Sequence, residues 1–358
     1  MPAIHQFIAG YSRGDAISNE AVYLRDIFRE WGYSADLFAE RKRILPELRG
    51  DAIDVMEAPA RLQPNDVAFL HLSIGSAVNE VFAALRCRKV VLYHNITPPE
   101  FFRGVHEEVA NCLAQGREQA RRLATGADCY LADSRYNAAE LESMGAPQVS
   151  VLPLVLDLAK LQQAPDRRLL KKWQDGKTNV LFVGRVAPNK RIEDVLRTFY
   201  YFQRYVEPDS RLICAGSYNG LESYHAYQLT LKRDWELRDV EFPGSIPQTW
   251  LNAAYRSAGV FLCMSEHEGF GIPLIESMAL DVPVLAYAAA AVPDTMDGAG
   301  VLFHHKRCDA VAEMAGRLAR PGPFRTAVLQ GQRNRMARYT QRDLKQELQT
   351  HLRPLLER

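Results

Sequence analysis

From Ile4 to Phe303 short apolar runs alternate with longer stretches of helical spacing, and this alternation constrains the fold most. "IHQFIAG" reads as a strand ending at Gly10. "AISNEAVYLRDIFREWG" reads as a helix, with Ile17, Val22, Leu24, Ile27, Phe28 and Trp31 at mostly helical spacing and Gly32 as its stop. "SADLFAE", "DVAFLHLS", "KVVLYHNI" and "DCYLADS" are further strands. A helix near "RYNAAELESMG" and a strand in "VSVLPLV" follow. Strands separated by helices of this length give a doubly wound parallel sheet.

After Pro153 the pattern turns polar and irregular through "DLAKLQQAPDRRLLKKWQDGKTN", which reads as a linker. The rhythm then restarts. "NVLFVGR", "SRLICAG", "DVEFPG", "VFLCMS", "PVLAYA" and "GVLF" are strands. "RIEDVLRTFYYFQRYV", "LESYHAYQLTLKRDWELR", "TWLNAAYRSAG" and "PLIESMALD" are helices, and helical pattern runs from about Asp309 to the end. The 358 residues suit two domains. The expected division is an N-terminal Rossmann-like domain over 1–155, a C-terminal one over 156–340, and a last helix over 341–358 returning to the first domain. In such sheets ligands lie beyond the carboxyl ends of the strands, so two facing domains make an interdomain cleft.

Charge excludes little beyond nucleic acid as an obligate partner: 44 Lys and Arg balance 43 Asp and Glu. From Lys306 to Arg358 there are 12 Lys/Arg against 5 Asp/Glu. That bias fits either a solvated helical surface or a weak attraction to anionic lipid or a phosphorylated substrate. The six cysteines stand singly, without a CxxC or a His/Cys cluster at zinc spacing, as expected of free thiols in a reducing compartment. "MPAIHQFIAGYSRGDA" does not read as a signal peptide, and no run of 18 apolar residues suggests a membrane span. The expectation is a cytoplasmic protein, with peripheral contact at the inner face of the cytoplasmic membrane left open.

Two segments of the second half carry chemistry. In "LFVGRVAPNKRIEDVL" a buried strand ends at Val183, Gly184 allows a sharp exit, and Arg185 and Lys190 stand between the strand end and the next helix. Two cations beside helix N–H groups suit a diphosphate, although loop-end cations are usually merely solvated. In "EHEGFGIPLIESM" Glu268 precedes a Gly269-Phe270-Gly271 turn, and Glu276 is expected in the first turn of the following helix. Both acids would then face the positive helix end, where carboxylates stay ionised and bind vicinal diols. Taken alone Glu276 reads as an ordinary first-turn acid; the whole E-G-F-G-x-P-x-x-E pattern is harder to explain by packing.

With these motifs in place, "FVGRVAPNKR" and "PGSIPQTWLNAAYRSAGVFLCMSEHEGFGIPLIESMALDVPVLAY" resemble the retaining GT-B glycosyltransferases of family 4, of bacterial surface-polysaccharide type. The resemblance covers the second half strongly and the first loosely. It implies an α/β GT-B fold and an E-x7-E motif at Glu268 and Glu276. Arg185 and Lys190 match the pair gripping the donor diphosphate, and Gly184 precedes them. Glu268 matches the acid contacting the donor sugar, with backbone contacts from Gly269, Phe270 and Gly271, and Glu276 matches the ribose-binding acid. Ser245 and Ile246 match the loop that reads the base. Family members usually need no metal or other cofactor, and no DxD dyad stands in the right setting here.

The first half offers less. "GYSRGDAISNE" places Gly10 and Gly14 before a helix, a loop able to approach phosphate, with Asp15 either at a donor site or simply a helix cap. His94 follows an apolar strand and, by the same resemblance, meets sugar or acceptor; alternatively it is structural. His71 stands at another strand end, and the Ser-Ile-Gly-Ser turn after it either binds acceptor or, on the favoured reading, caps the next helix. Arg135 opens a helix and could face the cleft on a weak signal, and the neighbours Glu266 and His267 have no direction fixed by sequence.

The expected function is retaining hexosyl transfer from a UDP-, GDP- or dTDP-linked sugar to a glycan or lipid-linked saccharide in surface polysaccharide synthesis. The expected catalytic residues are Arg185, Lys190, Glu268 and His94. The alternatives are a GT-B epimerase or phosphorylase, or a non-catalytic sugar-nucleotide sensor.

Overall fold

A computed structural model describes residues 2–357. The chain divides into two units: residues 1–103, 107–156 and 343–358 form one, and residues 104–106 and 157–342 the other. Each is built on one parallel sheet.

In the first unit the strands are β1 (Ile4–Ile8), β2 (Leu37–Ala39), β3 (Ile53–Asp54), β4 (Val67–Leu72), β5 (Arg88–Tyr93), β6 (Cys129–Ala132) and β7 (Ser150–Val151). Their order is β3-β2-β1-β4-β5-β6-β7. The helices are α1 (Ala16–Glu30), α2 (Ala58–Arg61), α3 (Ala77–Ala84), α4 (Glu107–Leu123) and α5 (Arg135–Ser143). Strands β1 and β4 are buried along their whole length, as sheets covered on both faces require. The last helix of the chain, Leu344–Leu356, belongs to this unit. It places Leu348, Leu352 and Leu355 in one cluster with Ile4, Leu24, Phe28 and Phe69.

Sequence periodicity did not show α4. Its exposed face is strongly polar, and only a narrow stripe through Ala110, Leu113, Gly116 and Ala120 is buried. Gly116 meets Gly75 so closely that a Cβ on it would lie 2.5 Å from the Gly75 nitrogen. Ser76 occupies the N-cap position of α3 but makes no side-chain capping bond. The Gln119 amide oxygen on α4 accepts its N–H instead, at 3.1 Å, so the capping expected of that serine turn comes from a different helix.

The second unit has β8 (Thr178–Val183), β9 (Ser210–Ala215), β10 (Val240–Gly244), β11 (Ala258–Cys263), β12 (Val284–Tyr287) and β13 (Val301–Phe303). Their order is β10-β9-β8-β11-β12-β13. The stretch read as a linker is not one. It contains a 3₁₀ turn (Ala159–Gln162) and a helix, α6 (Arg167–Trp173), capped by the Asp166 carboxylate. Trp173 is fully buried, and its indole N–H donates to Glu241 at 3.2 Å. The polar composition hid it because one fully buried aromatic, with Leu169 and Leu170 half-buried, anchors a helix that is otherwise exposed. The remaining helices are α7 (Ile192–Tyr201), α8 (Glu222–Asp234), α9 (Gln248–Ser257), α10 (Ile272–Ala279), α11 (Val292–Met296), α12 (Cys308–Ala319) and α13 (Pro323–Thr340). Among the described residues no helix is long and apolar enough to cross a membrane.

In both sheets the strand order reverses beside the first strand of the unit: between β1 and β4, and between β8 and β11. The crevice outside the carboxyl ends of strands at such a switch point is where open α/β sheets bind ligands.

Candidate active site

At the second unit's switch point, β8 ends at Val183 and the chain continues through Gly184 and Arg185. The glycine that most constrains this corner was not singled out from sequence. Gly216, after β9, has φ +155°, and a Cβ there would lie 1.9 Å from the Gly184 carbonyl oxygen. Its backbone N–H donates to the Gly244 oxygen at 2.9 Å, so the ends of β8, β9 and β10 are tied side by side. Arg185 projects from this corner. It is exposed, and a guanidinium nitrogen donates to the Asn219 carbonyl at 3.2 Å. Partial desolvation lowers its pKa, and among the described residues it has no ion-pair partner, so it is open to an anion.

Lys190 ends the 3₁₀ turn Pro188–Lys190, and its ammonium is 2.5 Å from the Glu268 carboxylate. The two side chains are 18% and 14% exposed, so this is a sheltered pair. The buried Asn189 brings the segments together: its side chain donates to the His267 oxygen at 3.0 Å, and its carbonyl accepts the Glu266 N–H at 2.9 Å. Arg185, Lys190 and Glu268 thus stand on the β8 and β11 loops of one switch point.

Past Glu268 the chain turns at Gly271, whose φ of +88° favours glycine and which forms the N-cap of α10. Gly269 is not among the glycines with positive φ. Phe270 is buried, and its carbonyl accepts the Thr295 hydroxyl. Its side chain therefore serves the core and leaves only backbone for a ligand.

Glu276 departs from expectation. It is the fifth residue of α10, in the second turn, and the first turn holds no acid. Two partners remote in sequence hold its buried carboxylate. Lys160 lies 2.8 Å from one oxygen, and the Tyr255 hydroxyl donates to the other at 2.8 Å. Burial, then the adjacent Glu276 charge, pushes the Tyr255 pKa well above its ordinary value. Neither partner had a sequence signal, since one lies in the supposed linker and the other inside α9.

Ser245 is exposed and Ile246 half-buried, just after β10. Near that strand end Tyr218 stacks on His225, with ring centroids 4.1 Å apart. Glu266 does have a direction. Lys306 bridges it to Asp194 with two 2.8 Å contacts, and Arg191 lies 3.4 Å from Glu266. Burial opposes ionisation of Asp194, but the Lys306 contact and then Arg191 outweigh it and hold its pKa below the usual value. Arg333 and Arg338, from the basic C-terminal stretch, pair with Asp281 and Asp297.

In the first unit Asp15 is a helix cap. Its carboxylate accepts the Ser18 N–H at 2.8 Å and the Ser18 hydroxyl at 2.8 Å. Gly10, Asp15, Arg43 and Ser73 line a pocket of about 220 Å³ beside the ends of β1 and β4. Gly14, with φ +77°, precedes the cap. His94 follows β5 and is buried. It lies against His71 (3.0 Å) and Asp133 (3.3 Å), with Glu20 at 3.5 Å. Burial, then His94, lowers the His71 pKa well below its usual value. Burial also acts on His94, but Asp133 and Glu20 reverse it and raise its pKa. Arg135 is exposed at the start of α5, whose N-cap Ser134 accepts the Asn137 N–H at 3.1 Å.

Two doubly wound parallel sheets, the second with cations and carboxylates at its switch point, are the architecture of the GT-B glycosyltransferase class. Residues 167–342 match the family described as glycosyl transferases group 1. It is 25% identical over 232 residues to a protein of Escherichia coli named O-antigen chain mannosyltransferase B, covering 63% of this chain and 59% of the relative. It is 28% identical over 227 residues to the GDP-mannose-dependent alpha-(1-6)-phosphatidylinositol monomannoside mannosyltransferase of Mycolicibacterium smegmatis, covering 60% of this chain and 58% of that one. The matched stretch thus spans less than two thirds of either relative. The solved sucrose-phosphate synthase of Thermosynechococcus elongatus shares the fold at a TM-score of 0.76 and 17% identity, over 100% of both chains.

Proposed function

We propose that the protein is a retaining glycosyltransferase that moves a hexose from a nucleotide-diphosphate sugar to a glycan or lipid-linked saccharide, in surface polysaccharide synthesis at the cytoplasmic face of the membrane. The observation that carries this reading is the convergence of Arg185, Lys190 and Glu268 on the loops of one switch point, with Glu276 on the helix that follows. Arg185 and Lys190 supply positive charge where a diphosphate leaves, which is the largest electrostatic demand of the reaction. That pairing makes a metal at the diphosphate unnecessary. Glu268 contacts hydroxyls of the transferred sugar, and Glu276, already held by Lys160 and Tyr255, presents its remaining acceptor capacity to the ribose. Gly184, Gly269, Gly271 and the Ser245–Ile246 turn border the donor with backbone, the Gly14 loop approaches the donor phosphate, and His94 meets sugar or acceptor. The departing phosphate takes the acceptor proton, so no protein base is assigned.

One relative is named a mannosyltransferase and the other is named as GDP-mannose-dependent, which makes GDP-mannose the first donor to test. Purified protein would be incubated with GDP-mannose, UDP-glucose or dTDP-glucose, with and without a lipid-linked saccharide, in excess EDTA. Nucleoside diphosphate release that depends on acceptor and survives EDTA supports the proposal. Release without acceptor, or a strict requirement for added magnesium or manganese, overturns it.

A further inference from the structure

A donor base at the Ser245–Ile246 turn still lacks a flat surface to lie against, and the strand ends of the second unit show where one stands. Val183, Ala215 and Gly244 are in register across β8, β9 and β10. Beyond the strands the Val186 N–H donates to the Ser217 oxygen at 2.9 Å, so the loop after β9 continues beside the loop after β8. Arg185 and the Ser245–Ile246 turn are therefore two strand spacings apart, roughly 10 Å, with the loop after β9 between them. A nucleotide reaching from Arg185 to that turn crosses this loop.

Tyr218 is the aromatic residue of the loop. The carbonyl of its neighbour Asn219 accepts the Arg185 guanidinium at 3.2 Å. The Tyr218 ring lies on the β10 side, where a Cβ on Gly244 would be 3.6 Å from its Cε1 atom. His225 on α8 covers one face of the ring, with centroids 4.1 Å apart and planes within 14° of parallel. Phe242 on β10 meets His225 edge-on, at 4.9 Å and 72°. The three rings make a ladder from the sheet to the crevice. No hydrogen bond to Nδ1 fixes the histidine, because that nitrogen is buried without a partner. Burial also lowers its pKa, which keeps the ring uncharged near neutral pH. His225 thus serves as a flat plate behind the tyrosine. Tyr218 itself is only half-buried. With His225 behind it and Gly244 at its edge, it offers a ligand its second face.

We propose that Tyr218, held in place by His225, is the stacking wall for the donor's base and favours a purine over a pyrimidine. Any base can stack on an aromatic ring. A two-ring base covers more of the tyrosine than a one-ring base does, and the attraction grows with the number of atoms in contact. The assignment rests on the donor site proposed above and extends it from the diphosphate to the base. His225 is a positioning residue, since it touches Tyr218 and not the ligand.

The test is calorimetry on the full chain with GDP, UDP and inorganic pyrophosphate. Tyr218→Ala is expected to weaken GDP about tenfold or more and UDP about threefold, and to leave pyrophosphate, which has no base, unchanged. Tyr218→Phe keeps the stacking face and should bind GDP within about threefold of wild type. His225→Ala should weaken GDP about three- to tenfold, and His225→Phe, another flat ring, should restore it. In steady-state transfer both alanine variants should raise the donor KM more than they lower kcat. Unchanged GDP affinity in Tyr218→Ala overturns the proposal. An equal loss for GDP and UDP overturns it too, as does a loss for pyrophosphate as large as that for GDP. Where wild type binds GDP and Arg185→Ala does not, such a failure falls on Tyr218 alone; where wild type binds neither nucleotide, the donor site fails and the proposal with it. Should Tyr218→Ala not fold, Tyr218→Leu, apolar but not flat, takes its place with the same outcomes.

Discussion

Replacing Glu268 separates holding the nucleotide from handling the sugar. In the free protein the Lys190 ammonium rests 2.5 Å from Glu268, sheltered from solvent. An incoming diphosphate must draw Lys190 away from this carboxylate. At an effective dielectric of about 20, a unit-charge pair 4 Å apart attracts by about 4 kcal/mol before desolvation is subtracted. A net gain of about 1–2 kcal/mol is a reasonable share once the partner is gone. Glu268→Ala is therefore expected to bind nucleoside diphosphate about 5- to 30-fold more tightly than wild type. The same change removes a charge-assisted hydrogen bond to the sugar, about 1.5–3 kcal/mol, so transfer falls roughly 10- to 150-fold. Calorimetry with GDP and UDP, beside steady-state transfer, reads both effects, and Lys190→Ala serves as the opposite control. Loss of nucleotide affinity in Glu268→Ala as large as in Lys190→Ala would refute the reasoning, as would unchanged transfer.

Glu276→Ala leaves the buried Tyr255 hydroxyl and Lys160 without their acceptor. It should cost about 2–3 kcal/mol and lower the melting temperature by roughly 5–10 °C, and a change within about 1 °C would show the pair to be incidental. Arg185→Ala should slow transfer by a barrier increase of about 2–4 kcal/mol, with nearly unchanged melting, because its protein contact is one exposed carbonyl; near wild-type turnover would remove it from the mechanism. The depressed pKa of Asp194 gives stability that is present above the unfolded carboxyl value and lost as pH falls through the folded one. The melting deficit of Asp194→Asn should therefore be largest near neutral pH and shrink below about pH 4, and a constant deficit would contradict the ion-pair account.

Local order determined what was legible in the sequence. The strand–helix rhythm is written in spacings of two and 3.6 residues, so the parallel α/β character of both units could be read directly. The E-G-F-G turn is confined to neighbouring residues, and a helix does begin just after Gly271. Arg185 and Lys190 could be placed at a strand end because β8 closes on an apolar run, Val180 to Val183.

Packing over long separations decided the rest. Lys190 and Glu268 are 78 residues apart, and nothing near either announces their contact. Glu276 read as a first-turn acid because proline suggested a later helix start; the structure starts α10 at Ile272 and gives the carboxylate to Tyr255 and Lys160. The supposed linker became part of a domain through a few buried side chains, chiefly Leu161 and Trp173, and composition averages such residues away. His71 and His94 each looked like a single histidine at a strand end. Only the pairing of β4 with β5, and the packing of α1 across them, brings their nitrogens within 3.0 Å of each other and Glu20 beside them. A parallel sheet sets neighbouring strand ends side by side whatever the chain length between them, so the chemistry gathered there is a property of the tertiary structure.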